Sequence, residues 1–310
     1  MDSVLESLPR GSRIAILRLR SLGDCVLTTP AIDILKHCRP DCRLAIFVEN
    51  RFREIFEGNP DLAEIHAPEL AALRRFRPQL CLNFHGGTRS AWMTELSGAR
   101  YRAGFGHFRQ QFVYNVRIPR AQEILHVDRK VHTAEHLASA MFFLGVPAGE
   151  IPRAKLVPSG PSPVPLEPRP AAIHAVAAAP EKTWPADHFL AIAGHLAESG
   201  LSPVFVGGPD DDLAPFRAHR TLQASLSDLK NLLASASLFV GNDSGPAHMA
   251  AAFGLPSVVL FGASDPEIWG PWRTSGEAVT APGGIGGARA IGDISVAQVI
   301  GALQRLRVAA

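Results

Sequence analysis

Apolar and polar positions along the first half of the chain alternate between two patterns. Short runs rich in branched apolar residues predict strands. They are separated by segments whose apolar residues recur every three or four positions, as in helices that pack one face against a sheet. The predicted strands are 13–19, 43–49 and 80–86, and the predicted helices are 26–38, 49–60 and 132–146. This alternation is typical of right-handed βαβ units around a mostly parallel sheet.

A proline-rich segment divides the chain. Residues 157–170 read VPSGPSPVPLEPRP, and a segment so rich in Pro, Ser and Gly forms neither a helix nor a central strand. Beyond it the alternation begins again, with predicted strands 171–178, 202–208, 238–242 and 256–262 and predicted helices 185–200, 225–237, 246–254 and 295–308. We therefore predict an α/β protein with domains over 1–157 and 158–294. Ligands of such sheets bind beyond the carboxyl ends of the strands, so we expect a cleft there.

Charge, apolar runs and cysteine spacing argue against several classes of protein. Lys and Arg total 31 against 29 Asp and Glu, a net charge of +2, which argues against general nucleic-acid binding. No apolar run approaches the ~20 residues of a membrane-spanning helix, and the N-terminal MDSVLESLPRGSR does not resemble a signal peptide. Cys25, Cys38, Cys42 and Cys81 lack the spacing of a zinc site or a disulfide scaffold. We expect a cytoplasmic protein without a metal site.

One strand-to-helix corner concentrates polar residues. Its sequence, VGNDSGPAH over 240–248, lies between a predicted strand and a predicted helix. Free backbone N–H groups and the positive end of a helix dipole make such a corner an anion site, and Gly241 and Gly245 let a ligand approach the backbone. The Asp243 carboxylate repels phosphate unless it faces hydroxyl groups. The alternative is that Asp243 or Ser244 simply caps the helix.

A second corner lies in the first half of the chain. LRSLGDCVLTTP follows the first predicted strand and opens the first predicted helix, with Gly23 expected in a tight turn. Asp24 is then either the N-cap of the helix or a general base at the ligand-binding edge of the sheet. The stretch lacks the G-x-G-x-x-G fingerprint of dinucleotide-binding folds, which argues against a nicotinamide dehydrogenase.

Three further loops carry candidate ligand-binding residues. Lys182, in APEKTWPADHF, suits neutralisation of a phosphate or is a solvated surface lysine. Gly207 and Gly208, in VFVGGPDDD, allow close approach of a nucleotide or form a plain turn. Arg89 and Arg109 lie in loops of the first half and are candidates for binding an anionic acceptor, with solvated surface as the alternative.

In chain order, these stretches resemble a known family. ILRLRSLGDCVLTTPAI, EKTWPADHF, VFVGGPD and LASASLFVGNDSGPAHMAAAFGLPSVVLFGASDPEIWGPW are similar to the ADP-heptose:lipopolysaccharide heptosyltransferases, glycosyltransferase family nine. The resemblance covers roughly 13–305 and is most specific over 234–272. It implies a GT-B fold: two Rossmann-like domains, the C-terminal one binding the nucleotide-sugar and the N-terminal one the acceptor. It also implies that the last helix, within 295–310, returns to the N-terminal domain.

The resemblance assigns roles to individual residues. Asp24 matches the aspartate of the family's S-x-G-D motif, the base that takes a proton from the acceptor hydroxyl. Lys182 matches the phosphate-binding lysine before the W-P pair. The residues implied to bind the nucleotide-sugar are Gly207, Gly208, Asn242, Asp243, Ser244, Gly245 and His248, and those implied to bind the acceptor are Gly23, Arg89 and Arg109.

The implied activity is transfer of a heptose from ADP-heptose to a lipopolysaccharide inner-core acceptor, with inversion and without a metal or cofactor. A lipopolysaccharide acceptor implies that the enzyme acts at the inner face of the cytoplasmic membrane and makes at most peripheral contact with it. Lys182, Ser244, His248 and the helix N-terminus would stabilise the charge on the departing ADP. One stretch departs from the family pattern: AVAAAPEK supplies no Ser or Thr hydroxyl before Lys182, so backbone N–H groups would bind the phosphate there.

Two other functions fit the same fold. The first keeps the mechanism but uses a different nucleotide-sugar or acceptor. The second is a nucleotide-sugar-binding protein that has lost catalysis, and the presence of both Asp24 and Lys182 argues against it.

Overall fold

The computed structural model describes residues 3–177, 180–282 and 290–306. The chain divides into two compact units, which meet in sequence between Lys155 and Leu156, two residues before the boundary predicted from the sequence. The proline-rich segment starts in the second unit: the backbone N–H groups of Ser159 and Gly160 donate to Asn231 Oδ1 at 2.8 and 3.0 Å. Within the described residues, no helix combines the length and apolarity needed to cross a bilayer.

Unit 1 is built on a parallel sheet. Its strands are β1 (Arg13–Leu17), β2 (Arg43–Phe47), β3 (Glu64–His66), β4 (Leu80–Asn83), β5 (Tyr101–Phe105) and β6 (Val116–Ile118). They lie in the order β3-β2-β1-β4-β5-β6, and each neighbouring pair is parallel. The central strands are almost wholly buried because both faces of the sheet are covered by helices.

The helices of unit 1 are α1 (Leu22–Cys38), α2 (Arg53–Phe56), α3 (Leu70–Phe76), α4 (Thr88–Glu95), α5 (Ala121–Leu125) and α6 (Thr133–Leu144). From β1 the chain continues to β2, towards the β3 end of the sheet, whereas from β4 it continues to β5, towards the β6 end. Right-handed connections therefore put α1 and α4 on opposite faces. The face with α3 and α4 buries Leu17, Phe47 and Met93, and on the other face α1 packs against α6.

Two helices of unit 1 differ from their predicted ranges. Helix α1 begins at Leu22 instead of 26, so Gly23 and Asp24 lie inside its first turn and the tight turn expected at Gly23 is absent. The helix predicted over 49–60 is a 3₁₀ turn followed by four α-helical residues, and Gly58 adopts a φ of 81° soon afterwards. The helix ends before this glycine, at Phe56, because Glu57 already has extended backbone with a ψ of 134°.

An ion-pair cluster fixes the end of unit 1. Lys155 Nζ lies 2.5 Å from Asp33 Oδ1 and 2.6 Å from Asp61 Oδ2, and the Lys155 backbone N–H donates to Thr29 Oγ1 at 2.8 Å. Both carboxylates are largely buried, so the ammonium group compensates charges that would otherwise be costly to desolvate. The last residue of unit 1 is thereby held against α1.

Unit 2 repeats the architecture. Its strands are β7 (Pro170–His174), β8 (Ser202–Gly207), β9 (Arg220–Gln223), β10 (Leu238–Asn242), β11 (Ser257–Phe261) and β12 (Gly276–Thr280), in the parallel order β12-β11-β10-β7-β8-β9. Its helices are α7 (Ala186–Glu198), α8 (Leu226–Ser235), α9 (Gly245–Ala252), α10 (Pro266–Trp269) and α11 (Val296–Leu306). Helix α8 begins with a capping box in which Ser225 accepts from Asp228 N–H at 3.0 Å.

The last helix is part of unit 2. Helix α11 packs on α7, β11 and β12, and Val299, Ala302 and Leu303 belong to the hydrophobic core of unit 2. Residues 307–310 lie outside the described residues.

In each sheet the strand order reverses at one point, between β1 and β4 in unit 1 and between β7 and β10 in unit 2. The connections on either side of such a point diverge to opposite faces and leave a crevice beyond the carboxyl ends of the strands, where ligands of open α/β sheets bind. The chain places the residues that follow β1, β4, β7 and β10 at these two points.

Candidate active site

The polar corner of unit 2 lies at its strand reversal point. The Asp243 backbone N–H donates to Leu260 O at 2.9 Å, which continues the pairing of β10 with β11, and Asp243 Oδ2 accepts from the Ser264 hydroxyl at 2.6 Å. Ser244 is the N-cap of α9, but its side chain makes no capping hydrogen bond. The two side chains are therefore engaged elsewhere, and the alternative that either simply caps the helix is not what the structure shows.

Ser244 is oriented by a histidine that ends strand β7. Ser244 Oγ lies 3.2 Å from His174 Nδ1, within hydrogen-bond distance. Burial lowers the pKa of His174 to about 4, so its ring is neutral at pH 7 and has one donor and one acceptor nitrogen. The neutral ring fixes the hydroxyl without placing a positive charge beside it.

Asp243 combines burial with a nearby positive charge. Burial raises the pKa of the Asp243 carboxyl, while the hydrogen bond from Ser264 and the charge of Lys182 act in the opposite direction. Lys182 itself is exposed, at the end of a 3₁₀ turn, Pro180–Lys182, that follows β7. The structure thus brings the predicted lysine and the predicted aspartate to one edge of the sheet.

Asn242 holds the segment that follows β7 and carries Lys182 in place through a hydrogen bond. It is fully buried, and its Oδ1 accepts from the Trp184 backbone N–H at 3.1 Å. Trp184 is buried as well, and its indole N–H donates to Ile294 O at 2.8 Å. Asn242 and Trp184 therefore hold Lys182 at the sheet edge, and Asn242 lies behind the surface that a ligand would touch. Of the alanines before Lys182, Ala178 and Ala179 lie outside the described residues.

The glycines of unit 2 serve close backbone packing. A Cβ at Gly241 would lie 2.9 Å from His174 O, and one at Gly207 would lie 2.9 Å from Asp211 Cβ. The Gly208 backbone N–H donates to Asp211 Oδ2 at 2.7 Å, which closes the loop after β8. These glycines therefore shape the strand ends.

The remaining two predicted residues lie on α9. Gly245 is the first helical residue of α9 and is half-buried. His248, one turn further on, is buried, with its ring 6.4 Å from that of Trp269. Within residues 3–177, 180–282 and 290–306, no group of three His, Cys, Asp or Glu side chains could hold a metal ion.

In unit 1, Asp24 lies directly beyond β1 at the strand reversal point. The N-cap of α1 is Ser21, so Asp24 is the third helical residue and not the cap. Its Oδ2 accepts from the Ser21 hydroxyl at 2.9 Å, and its Oδ1 lies 3.5 Å from Arg18 Nη1. The Asp24 side chain is 26% exposed, so part of it reaches the solvent.

Arg18 is the buried counter-charge of Asp24. Its side chain is only 7% exposed, and its Nε donates to Thr28 Oγ1 at 3.2 Å. Burial lowers the pKa of Arg18, and the neighbouring Asp24 carboxylate opposes that effect; a guanidinium nevertheless stays charged in proteins. The pair fixes the direction of the carboxylate.

Histidines surround this edge of unit 1. Burial lowers the pKa of His85, which follows β4, and the charges of Arg18 and Arg20 add to the effect. Burial likewise lowers the pKa of His136 to about 4, helped by His107. These rings are therefore mostly neutral at pH 7 and leave the guanidinium groups as the cations of the edge.

The two predicted acceptor-binding arginines lie on adjoining segments. Arg89 is in the first turn of α4 and donates to Pro68 O at 2.7 Å, and Arg109 is exposed in the segment after β5. The two segments touch, since Gln110 Nε2 donates to Thr88 Oγ1 at 3.0 Å.

Sequence reasoning missed five residues that orient the predicted ones: Arg18, Ser21, His174, Asp211 and Ser264. A signal exists for two of them. Arg18 and His174 each interrupt an apolar run near the end of a predicted strand, where a polar side chain points at the ligand edge. Nothing in the sequence pattern pairs Ser264 with Asp243, because they come from different strand ends.

With this geometry established, comparison with known proteins identifies the family. A family model described as glycosyltransferase family 9 (heptosyltransferase) matches residues 70–284, more than half of the chain. The chain belongs to glycosyltransferase family 9. The matched range includes Lys182 and the polar corner that follows β10.

Members of this family appear among the proteins most similar to the chain. Lipopolysaccharide heptosyltransferase 3 of Escherichia coli is 26% identical over 301 residues, which cover 83% of this chain and 85% of that protein. The structure of E. coli ADP-heptose lps heptosyltransferase II has a TM-score of 0.80 at 20% identity and covers 95% of this chain and 98% of its own. E. coli heptosyltransferase WaaC with ADP has a TM-score of 0.75 at 19% identity, with coverages of 95% and 99%.

These findings confirm the predicted fold class and the resemblance. The protein is a family 9 glycosyltransferase with two Rossmann-like, parallel-sheet α/β units of the GT-B class.

Lowering the pH should reduce the free energy of unfolding, because His174 stays neutral in the folded protein but takes up a proton in the unfolded chain. Because the folded-state pKa is about 4 and the usual value is 6.5, the unfolded chain takes up the proton first, and stability falls as the pH drops from about 6.5 towards 4. At pH 5 this histidine alone accounts for about 2 kcal/mol of lost unfolding free energy. Urea titrations at pH 7.5 and 5 should show a smaller loss for His174→Asn than for the parent protein.

His195→Asn in helix α7, which changes a partly exposed histidine of the same unit, is the matched control and should keep the parent's loss. Equal losses in the parent and His174→Asn would contradict the prediction.

Proposed function

We propose that this glycosyltransferase moves a heptose from ADP-heptose to a lipopolysaccharide inner-core acceptor with inversion, and that it uses neither a metal nor a cofactor. The observation that carries the proposal is the placement of two opposite charges. Asp24 and Lys182 each follow the strand at which the order of their sheet reverses. A carboxylate suits proton removal, and an ammonium suits a departing diphosphate.

The donor half of the proposal rests on unit 2. Lys182 supplies a positive charge, the N-terminus of α9 supplies backbone N–H groups, and Ser244 supplies a hydroxyl oriented by His174. These are the groups that bind a diphosphate without a metal ion. The Asp243 carboxylate, with one oxygen already bound to Ser264, accepts hydrogen bonds from ribose hydroxyls. The E. coli structure of WaaC with ADP supports adenine as the base.

The acceptor half rests on unit 1. Asp24 is partly exposed and is oriented through both oxygens, by Ser21 and by Arg18. We assign Asp24 as the base that takes the proton from the attacking acceptor hydroxyl. Arg89 and Arg109 then bind an anionic group of the acceptor saccharide. Because that acceptor is lipid-linked, the enzyme acts at the cytoplasmic face of the inner membrane.

The chemical step breaks one bond and forms another. The acceptor oxygen gives its proton to Asp24 and attacks the anomeric carbon of the heptose from the side opposite ADP. The bond between that carbon and the β-phosphate oxygen breaks as the new glycosidic bond forms, so the configuration inverts. The electron pair of the broken bond stays with ADP, where Lys182 and the N-terminus of α9 stabilise the added negative charge.

Asp24→Asn should abolish transfer while leaving ADP bound. The amide has the shape of the carboxylate but cannot accept the proton, so we expect the rate constant for transfer to fall by about 10² to 10⁴. The measurement is release of ADP with ADP-heptose and acceptor, beside calorimetric titration with ADP alone. Asp128→Asn, an exposed aspartate of the same unit, should behave like the parent protein. A parent-like rate for Asp24→Asn would remove the base assignment.

Lys182→Ala should weaken ADP binding. A charge-assisted contact to phosphate contributes about 1.5–3 kcal/mol, which corresponds to a ten- to hundredfold increase in Kd. Calorimetric titration measures it directly. Arg305→Gln, which removes an exposed cation of α11 paired with Glu277, is the control and should leave Kd unchanged. Unchanged affinity in Lys182→Ala would rule out the proposed phosphate contact.

The donor nucleotide is tested by comparing ligands on the parent protein. We expect ADP to raise the melting temperature more than UDP, GDP or NAD at equal concentration, because a ligand that binds the native state more tightly stabilises it more. A larger shift with UDP than with ADP would leave the family and fold intact but reject ADP-heptose as the donor.

A further inference from the structure

We propose that unit 1 carries a surface that docks on anionic lipid bilayers, formed by an exposed aromatic patch and an adjoining arginine-lined cavity. The aromatic patch consists of Trp92, Leu96 and Phe112. This proposal depends on the proposed function in one respect only: a lipid-linked acceptor would be reached at a membrane.

The aromatic patch is unusually exposed for its composition. The side chains of Trp92, Leu96 and Phe112 are 49%, 43% and 64% exposed, although large apolar side chains are normally buried. The Trp92 and Phe112 rings meet edge to face with centroids 6.4 Å apart. One comes from α4 and the other from the segment between β5 and β6, so two separate elements present their aromatic residues together.

Helix α4 extends the patch in one direction. Arg89, Trp92 and the C-cap residue Leu96 recur at intervals of three and four residues, which aligns them along one face of the helix. The opposite face is buried, with Ala91 and Met93 inside the unit. Arg89 lies at the edge that also carries Asp24, so the stripe begins beside the proposed acceptor site and runs away from it.

The other end of the stripe reaches a basic cavity. Leu96 contributes to the lining of a cavity of about 640 Å³, together with Arg13, Arg74, Arg77 and Arg100. Arg74 Nε donates to Leu96 O at 2.8 Å, which holds this guanidinium against the patch. No acidic residue occurs among the described lining residues. Near the patch, Glu95 is paired with Arg102 at 3.2 Å and adds no net charge.

The chemistry of this surface fits an anionic bilayer. Tryptophan and phenylalanine side chains settle at the boundary between headgroups and acyl chains, and clustered arginines are attracted to anionic lipid headgroups. A second copy of the chain is a poor occupant, because a two-fold contact through this surface would bring the arginines of one copy against those of the other. General nucleic-acid binding is disfavoured by the net charge of only +2.

The test is sedimentation with vesicles. The full-length protein should bind vesicles of phosphatidylglycerol and phosphatidylethanolamine and should bind phosphatidylcholine vesicles at least fivefold more weakly. Trp92→Ser/Phe112→Ser and Arg74→Gln/Arg100→Gln should each lose at least fivefold in affinity for the anionic vesicles. All four side chains are on the surface, so the melting temperature of these variants should stay close to that of the parent.

Matched controls come from exposed side chains outside the patch and its cavity. Phe143→Ser removes a 41% exposed aromatic residue of α6, on the opposite face of the sheet, and Arg129→Gln/Arg153→Gln removes two exposed arginines, of which Arg129 pairs with Glu135 of α6. Both controls should bind anionic vesicles as the parent does. Equal loss in patch and control variants, or equal binding to neutral and anionic vesicles, would overturn the proposal. So would conversion of an oligomer to a monomer in Trp92→Ser/Phe112→Ser without any change in vesicle binding.

A second assay separates this proposal from the proposed function. With ADP-heptose and a water-soluble, deacylated acceptor, the patch variants should keep the parent's rate, because the surface acts only at a membrane. With the acceptor embedded in anionic vesicles, the rate should fall with the loss of binding. If no acceptor is glycosylated at all, the proposed function fails, while vesicle binding still decides the role of the surface. A lower rate on the soluble acceptor would contradict a purely membrane-docking role.

Discussion

A parallel sheet has all its strand carboxyl ends on one edge, and in both units the order of strands reverses once along that edge. The placement of the candidate site residues depends on this constraint. Asp24 follows the reversal strand β1, and Lys182 and Asp243 follow β7 and β10, the two strands that flank the reversal in unit 2. Residues distant in the sequence therefore share one edge, where helix N-termini and free backbone groups also lie. The helices on both faces bury the strands and leave this edge open.

At each edge a candidate site group is oriented by a buried neighbour. Arg18 is nearly inaccessible and directs the Asp24 carboxylate, His174 is buried and directs the Ser244 hydroxyl, and Asn242 holds the backbone of Trp184 beside Lys182. A buried charge or amide is costly unless it is compensated, so each of these contacts ties the placement of a surface group to the stability of the core. The two units use different chemistry to reach the same result: unit 1 fixes a carboxylate with a cation, and unit 2 fixes a hydroxyl with a neutral ring.

The long buried elements could be predicted from the sequence, because their apolar runs and helical periodicity leave little choice. Strand β10 was predicted with its observed limits, and the helix predicted over 225–237 contains α8. Five strands were missed: β3, β5, β6, β9 and β12. Strands β3, β6 and β9 have only three or four residues, and β5 and β12 are partly exposed and contain a glycine, so none of the five forms a clear apolar run. The beginning of α1 was missed because Leu22 and Gly23 resemble a loop in the sequence, and the side chain of Ser21, at the N-cap position, makes no capping hydrogen bond. The partners of the site residues were missed for another reason: a contact between two strand ends, such as Ser264 with Asp243, is created by topology and leaves no local pattern.

The half-buried carboxylate of Asp243, with the positive charge of Lys182 close by, also bears on the polarity of any bound nucleotide. A nucleoside diphosphate has a neutral, hydroxyl-bearing end and an anionic end. A fixed negative charge accepts only the first beside it, and a fixed positive charge favours the second. Neighbouring charges of opposite sign would therefore admit such a ligand in one direction and resist the reverse, before any contact with the base is made.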